Sequence, residues 1–452
     1  MKFRLSLDTV AVGVIALLAV VIGLVILLSG QAGVRVTATL PERSLIGPFQ
    51  KIKLTFSEPV DPDLTAPLFS IQPNVDGTTE WLDPRTLQFV PSRPFELGVN
   101  YRLSLSPGLL SKTGSALKRE QSWEFHVRDP LVVYLLAGES QSSLWTVSPQ
   151  GESPRQISPS EIKVISFDAS TDGEFIVFTS ANEKGGISLW RMSRAGGDAS
   201  VLLDCGLDRC TTPAIAPDGN RIAYSREAAI GAGLPYGSPR VWILDLKNGQ
   251  NSPVYEDQQV LGYNPSWSPD SKKLISFDGL ADQIRLFDMT NNQQIVFPSN
   301  IGGPTTWSPD STKFLFTDIE QSEIGLITHL RIADLSLNDT STLLGESDDR
   351  DYAYHSLAWS PVENSVVVSL RTSDDQPAQV FWLFDPGLLD GIIIADQPEY
   401  TYNSPRWDPW GTALVFQQFK LRSEFKSEIG LWKHGLHEPL IITEGIMPHW
   451  LP

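Results

Sequence analysis

From Leu131 to the last residue, apolar and polar positions repeat in a fixed order. A tight turn comes first, as in Trp267-Ser268-Pro269-Asp270-Ser271, Trp307-Ser308-Pro309-Asp310-Ser311 and Trp359-Ser360-Pro361. Looser copies read Ile215-Ala216-Pro217-Asp218-Gly219 and Trp407-Asp408-Pro409-Trp410-Gly411, with a degenerate copy from Phe167 to Gly173 and a truncated one at Trp450-Leu451-Pro452. In such a turn Pro presets φ, the Asp side chain takes up backbone amides, and Ser or Gly closes the chain reversal. A run that alternates or is wholly apolar follows, as in Lys273–Phe277, Lys313–Thr317 and Ala413–Phe416, the pattern of a strand. A further strand follows and often closes on Asp: Val241–Asp245, Ile284–Asp288, Leu330–Asp334 and Phe381–Asp385.

The anchors of these turns fall at 167, 215, 267, 307, 359, 407 and 450. Periods of roughly 40–50 residues with about four short strands each predict propeller blades. No helical segment separates the strands, which argues against a parallel sheet. The aromatic anchors are expected to pack between blades. Leu131–Leu136 and Ser143–Ser148 read as second and third strands with no innermost strand before them, and Met447–Leu451 is the orphan that completes their blade. This reading predicts seven blades closed by the C-terminal strand; six blades with an irregular remainder is the alternative.

Two other stretches precede the repeat. Val10–Leu28 is an unbroken apolar or Gly run of 19 residues. As a helix it extends about 28 Å, close to a bilayer core of about 30 Å. Residues 1–9 carry Lys2 and Arg4, a weak positive bias that places this stub in the cytoplasm and everything after residues 10–29 outside. A cleaved signal peptide is the rival reading; the length of the run favours a retained single-pass anchor in the cell membrane. No Cys follows the run to take a lipid. From residue 33 to 128 the strands Val34–Ala38, Lys51–Phe56, Thr86–Val90, Tyr101–Leu105 and Ser122–Val127 are separated by turn-rich pieces, which predicts a β-sandwich. The fold class is therefore all-β: a transmembrane helix, a sandwich and a propeller over residues 131–452.

Two resemblances follow from these residues. The Trp-Ser-Pro-Asp repeat with its short strand resembles the TolB-type propeller family, whose repeats are WD-like; the resemblance covers Leu131 to Pro452. It implies the fold and, more loosely, either a protein-interaction partner of the cell envelope or the propeller of a prolyl-oligopeptidase-type hydrolase. The pieces Leu54–Asp61, Leu87–Pro91 and Leu97–Tyr101 resemble the bacterial Ig-like domain of S-layer and surface proteins, which implies a spacer or adhesion module.

Composition narrows the function. The net charge is −18, which argues against nucleic-acid or anionic-lipid binding through a basic face. The two cysteines, Cys205 and Cys210, lack a second pair for zinc, and a local disulfide in a loop is expected outside the cytoplasm. Glu58, Asp61 and Asp63 lack the spacing of a calcium loop and read as turn carboxylates. No Gly-x-Ser-x-Gly elbow occurs, His437-Glu438 is followed by Pro439, and Gly231-Ala232-Gly233 lies in a turn-rich insertion. Asp348, Asp349 and Asp351 read as a solvated loop. No catalytic residue, cofactor or metal is assigned.

The expected function is a membrane-anchored extracytoplasmic binding or scaffold protein for an envelope protein, peptide or glycan. A glycan- or peptide-cleaving propeller and a signalling ectodomain are the alternatives. The candidate ligand-binding residues lie just ahead of three anchor Trp residues. They are Tyr263, Tyr354 and Tyr402, followed by Asn264, His355 and Asn403, because aromatic rings with polar neighbours suit peptide or sugar recognition. The insertions Arg226–Pro239 and Phe419–Ser427 are expected to wall the same face.

Overall fold

The computed structural model describes residues 14–22, 33–40, 45–65, 68–138, 142–231, 234–322, 325–345, 353–371, 378–421 and 426–452. The chain forms two compact parts, Met1–Arg128 and Asp129–Pro452. Residues 14–22 are helical with exposed side chains. No helix among the described residues is long and apolar enough to cross a membrane, and the rest of the run 10–28 lies outside them. The acidic loop with Asp348, Asp349 and Asp351 also lies outside them.

The first part holds two four-stranded sheets. One orders Val36–Thr39, Ile52–Phe56, Thr86–Pro91 and Gly77–Asp83; the other orders Leu45–Ile46, Gln121–Val127, Asn100–Leu105 and Phe69–Gln72. Leu45–Ile46, Phe69–Gln72 and Gly77–Asp83 are strands beyond the five expected, too short or too polar to show a buried period. The alternation of Ile52–Phe56, buried at every second residue, is the two-residue period of a strand with one face inward. Phe95, Tyr101 and Phe125 meet edge-to-face or stacked with centroids 5.1–5.4 Å apart. The Tyr101 hydroxyl accepts the Glu96 N–H at 2.9 Å. Glu58 accepts hydrogen bonds from Thr113 and Ser115, and these hold its carboxyl below the usual carboxylate range.

The second part is a succession of four-stranded antiparallel meanders. We number them by their innermost strands: sheet 1, Ile446–Leu451; sheet 2, Ser166–Ala169; sheet 3, Arg209–Ile215; sheet 4, Tyr263–Trp267; sheet 5, Thr305–Trp307; sheet 6, Ala353–Trp359; sheet 7, Tyr400–Trp407. A single parallel bridge, Ile187 to Arg209, also joins sheets 2 and 3. In sheet 1 the innermost strand comes from the far end of the chain: Trp450 pairs with Val132 and Leu451 with Leu131.

Among the described residues the core of this part forms not one cluster but seven, each shared by two neighbouring sheets. Trp267 and Leu274 of sheet 4 pack with Ala223 and Val241 of sheet 3. Trp359 and Val366 of sheet 6 pack with Leu315 and Leu330 of sheet 5. The succession returns to its start, since Trp450 and Val132 of sheet 1 pack with Val415 and Ile429 of sheet 7, while Leu451 and Val133 pack with Ile176 and Phe178 of sheet 2. Sheets hydrophobic on both faces and stacked around an axis are the propeller solution to sheet edges.

Three anchor indoles tie sheet to sheet. Trp267 Nε1 donates to Ala214 O (2.9 Å), Trp407 Nε1 to Ala358 O (3.2 Å) and Trp450 Nε1 to Arg406 O (3.0 Å). The turn after the anchor closes as expected: Ser268 Oγ accepts the Lys273 N–H at 2.9 Å, and Asp270 accepts the Lys272 N–H at 3.0 Å. Ser271 and Ser311 take φ of 59° and 60°, where looser copies place Gly219 and Gly411; this left-handed position is why Gly recurs there. The Asp that ends the third strand in sheets 3 to 6 accepts an amide from the next hairpin, as Asp245 does from Lys247 (2.7 Å) and Asp288 from Thr290 (2.8 Å).

The degenerate turn corrects one anchor. Ser170, not Asp168, bonds across the turn, to Phe175 O at 3.0 Å. Ala169 therefore occupies the anchor place in sheet 2, and Phe167 lies two residues earlier. Both are buried, because residues two apart in a strand face the same way.

Candidate functional site

Five innermost strands carry a β-bulge just ahead of the anchor. Register slips after Thr211 in sheet 3, Tyr263 in sheet 4, Tyr354 in sheet 6, Asn403 in sheet 7 and Ile446 in sheet 1. Four of these bulges pair a residue at positive φ with Pro: Thr212-Pro213, Asn264-Pro265, Ser404-Pro405 and Met447-Pro448, with φ of 47°, 52°, 53° and 53°. An extra residue leaves one side chain free of the ladder and re-aims it. Asn264, His355, Ser404 and Met447 are accordingly exposed, although the buried Pro265, Pro405 and Pro448 sit nearby.

This geometry redistributes the six candidate residues. Tyr263 stands four residues before its anchor, but Tyr354 and Tyr402 stand five before theirs. A shift of one residue in a strand exchanges the two faces. Tyr402 is fully buried, its ring 5.6 Å from Phe381 and 5.8 Å from Phe416, and its hydroxyl donates to Gln397 Oε1 at 3.3 Å. Burial, first of all, pushes its phenol well above the ordinary tyrosine value. Tyr354 is buried in the core shared by sheets 5 and 6. These two rings are core, and a direct ligand contact through them is corrected here. Tyr263 is half-buried against Phe277 at 5.4 Å. Asn264 and His355 are exposed on bulges, whereas Asn403 pairs with Gln417 before its bulge and keeps an unpartnered amide oxygen among the described residues. The surrounding protein, then the Arg371 charge, hold the His355 imidazole below its usual value.

A second layer lies one residue before each anchor. Around the ring it reads Asp168, Ala214, Ser266, Thr306, Ala358, Arg406 and His449. The three ionisable members are neighbours, on sheets 7, 1 and 2. His449 Nε2 lies 3.1 Å from Asp168 Oδ1, and Asp168 Oδ2 accepts the Ile215 N–H at 2.7 Å. His449 Nδ1 lies 2.8 Å from Trp450 O. One arc of the layer holds these ionisable groups and the rest is small: Ala214, Ser266, Thr306 and Ala358. The fixed spacing to the anchor made six of these positions readable in sequence. Asp168 was hidden by the misplaced anchor at Phe167.

Cys205 and Cys210 form a disulfide. Cys205 lies in the loop between the strands Ser200–Leu203 and Arg209–Ile215, as expected, and Cys210 in the second of these strands; both side chains are buried in the core between sheets 2 and 3. No group of three or more His, Cys, Asp or Glu side chains that could hold a metal occurs among the described residues.

The two parts define the chain as an Ig-like sandwich followed by a β-propeller. Residues 31–127 match the family of bacterial Ig-like domains. No relative was found among curated proteins. Among solved structures, the chain is similar to puromycin hydrolase, with 13% identity over 78% of this chain and 53% of that one and a TM-score of 0.51. It thus spans about half of that enzyme, and the likeness is one of fold. It is also similar to TolB from Acinetobacter baumannii (16% identity, 71% of this chain and 82% of that one, TM-score 0.42) and to the β-propeller domain of the Trilobed protease from Pyrococcus furiosus (14%, 63% and 86%, TM-score 0.47).

Proposed function

We propose that this chain is a membrane-anchored extracytoplasmic binding protein. The apolar run Val10–Leu28 holds it to the membrane, the Ig-like sandwich is its spacer, and the propeller, whose sheets we read as seven blades, is its interaction platform. The partner is an envelope protein, peptide or glycan held over the bulged ends of the innermost strands. The observation that carries the reading is the bulge layer. Asn264, His355, Ser404 and Met447 are exposed at equivalent or adjacent places on four innermost strands, three of them, in sheets 6, 7 and 1, neighbours, where a purely structural strand would stay in register. Polar groups and one flexible thioether on rigid strands suit recognition of a folded surface or extended segment.

A photo-crosslinking side chain at position 355 or 404 of the full chain, in membranes, should capture the partner. One at Leu337, exposed on a hairpin at the opposite ends of the strands, should not. Crosslinking from 337 alone would move the site to the other face. Protease added to intact spheroplasts should digest the propeller; complete protection would reverse the topology.

A further inference from the structure

The bulged end of the propeller is unevenly apolar. Each innermost strand begins opposite the end of its second strand, as Tyr263 does opposite Phe277, so the loop entering an innermost strand and the hairpin after a second strand share this end. Around sheets 3 to 5 these segments raise aliphatic side chains into solvent. Leu207 before sheet 3, Ile230 and Leu234 in the insertion of sheet 3, Leu280 in the hairpin of sheet 4 and Leu326 at the start of the third strand of sheet 5 are 58–67% exposed, and Ile301 before sheet 5 is 38% exposed. Residues 228–239, the bulk of that insertion, include no charged side chain. Exposed apolar side chains that adjoin one another on a folded chain mark an interaction surface.

These segments are bonded to one another. Asp208 accepts the Ala229 N–H at 2.9 Å and Arg226 Nε at 2.8 Å, so the insertion lies on the loop that carries Leu207. That loop is tied by the Cys205–Cys210 bridge and by Asn182 Nδ2, which donates to Gly206 O at 2.8 Å. Pro239 O, at the far end of the insertion, accepts the Gly262 N–H at 2.9 Å. Tyr263 comes next, and its hydroxyl lies so close to Gly279, beside Leu280, that a Cβ there would stand 3.1 Å from it. Gly302, beside Ile301, rests on the Phe277 ring with no room for a Cβ. The Asn300 N–H donates to Asp318 Oδ1 at 2.8 Å and its Nδ2 to Ile319 O at 2.6 Å, which joins this loop to the paired strands that carry Leu326. The six side chains therefore form one arc over sheets 3, 4 and 5, on a hydrogen-bonded base.

The charges along the arc are one-sided. Its cations are taken up within the protein: Lys184 by Asp204 at 2.5 Å, Arg209 by Glu227 at 3.9 Å, Arg226 by Asp208 at 2.7 Å, Arg285 by Asp278 at 2.7 Å and Arg331 by Asp318 at 3.8 Å. Glu183, Glu256, Asp257 and Asp282 stand exposed on the loops and hairpins of the same arc, and none has a basic partner among the described residues. We infer that this arc docks a basic amphipathic segment of a partner protein, whose apolar side chains seat on the aliphatic tips and whose Lys or Arg side chains answer the four carboxylates. The inference rests on the reading of the propeller as an interaction platform and names the chemistry of its partner. Apolar contacts at the centre hold such a complex, while complementary charge steers encounter and fixes register. The same carboxylates repel an anionic membrane. The six tips are aliphatic and offer no ring face to a sugar.

The test is fluorescence anisotropy of labelled peptides with the full chain in phosphatidylcholine nanodiscs. An amphipathic Leu/Lys peptide should bind, and Leu/Glu and Ser/Lys peptides of the same pattern should bind at least about tenfold more weakly. Leu207→Ser/Ile230→Ser/Leu234→Ser removes three exposed tips and should weaken binding of the Leu/Lys peptide about tenfold, with the melting temperature unchanged. Glu183→Lys/Glu256→Lys, a second variant that leaves the tips in place, should weaken it about fivefold at low salt and less at high salt. Leu337→Ser/Leu388→Ser, on exposed hairpins at the opposite end, should leave it unchanged. No binding of the Leu/Lys peptide would overturn the inference. So would equal binding of the Leu/Glu or Ser/Lys peptide, arc variants that bind like the parent, an equal loss in the Leu337/Leu388 variant, or binding to phosphatidylglycerol vesicles in place of the peptide. A partner captured from position 355 or 404 by a chain that binds no Leu/Lys peptide would sink the inference and leave the platform reading intact. The peptide bound on the arc, with nothing captured at those positions, would support the inference and move the partner off the polar bulges.

Discussion

Closure of the propeller by its last strand makes Trp450 a direct probe. Its ring is 4% exposed and packs with Val132, Ala413, Val415 and Ile429, so it bridges the two ends of the sheet succession. Replacing a buried Trp by Ala costs about 3–5 kcal/mol in transfer and cavity terms. For the second part, Asp129–Pro452, the unfolding entropy at the midpoint is on the order of 0.7 kcal/mol per kelvin. Trp450→Ala should then lower the melting temperature of that part by about 4–7 °C. Trp450→Phe keeps most of the apolar area and loses the bond to Arg406 O, so about 1–2 kcal/mol and a smaller shift are expected. Leu337→Ala, at an exposed hairpin, should change stability by less than about 0.5 kcal/mol. Differential scanning calorimetry of the full chain would follow the propeller transition and the sandwich transition together. A Trp450→Ala protein melting within about 1 °C of the parent would refute the reasoning, since a bridging strand cannot lose its anchor without consequence. Loosened variants should also aggregate more, because an open ring exposes the edge of the Leu131–Ala137 strand.

Two further outcomes follow from individual groups. Asp408 is buried where sheets 4 and 5 have Ser, and burial raises its carboxyl above the usual value despite two hydrogen bonds with Thr412 at 2.7 Å. A folded-state value above the unfolded one favours the protonated form, so this group contributes most at acid pH and its contribution is lost as pH rises through the raised value. Asp408→Ser should therefore gain in melting temperature relative to the parent as pH rises above about 4, the ordinary carboxylate value; a difference that does not vary with pH would contradict this. Removing the Cys205–Cys210 bridge in Cys205→Ala/Cys210→Ala should cost about 2 kcal/mol, the value for so short a loop, read by urea unfolding beside unreduced mass spectrometry that shows the bridge in the parent.

The sequence by itself determined the local chemistry of this protein. The Trp-Ser-Pro-Asp turn needs a preset φ, a side-chain acceptor and a left-handed position, and each demand is met by residue type within five positions. Strand period and turn spacing likewise mark the sandwich and the repeated sheets, because these are local properties of the chain. The orphan strand at residues 447–451 was legible for the same reason, as a piece that had no local partner.

Tertiary structure decided what depends on register and on neighbours far along the chain. Bulges are set by how two strands pair, so only the fold shows that Tyr354 and Tyr402 turn inward while Asn264, His355 and Ser404 are exposed. The sulfurs of Cys205 and Cys210 lie in a core made by two sheets, which no loop-like local sequence reveals. The layer of Asp168, Arg406 and His449 brings together residues from sheets 2, 7 and 1, of which Asp168 and His449 are more than 250 positions apart, and Ala169 stands at an anchor place that is aromatic in most other sheets. The arc of aliphatic tips arises the same way, because Leu207, Ile230, Leu280 and Leu326 belong to separate segments that only the stacking of the sheets sets side by side.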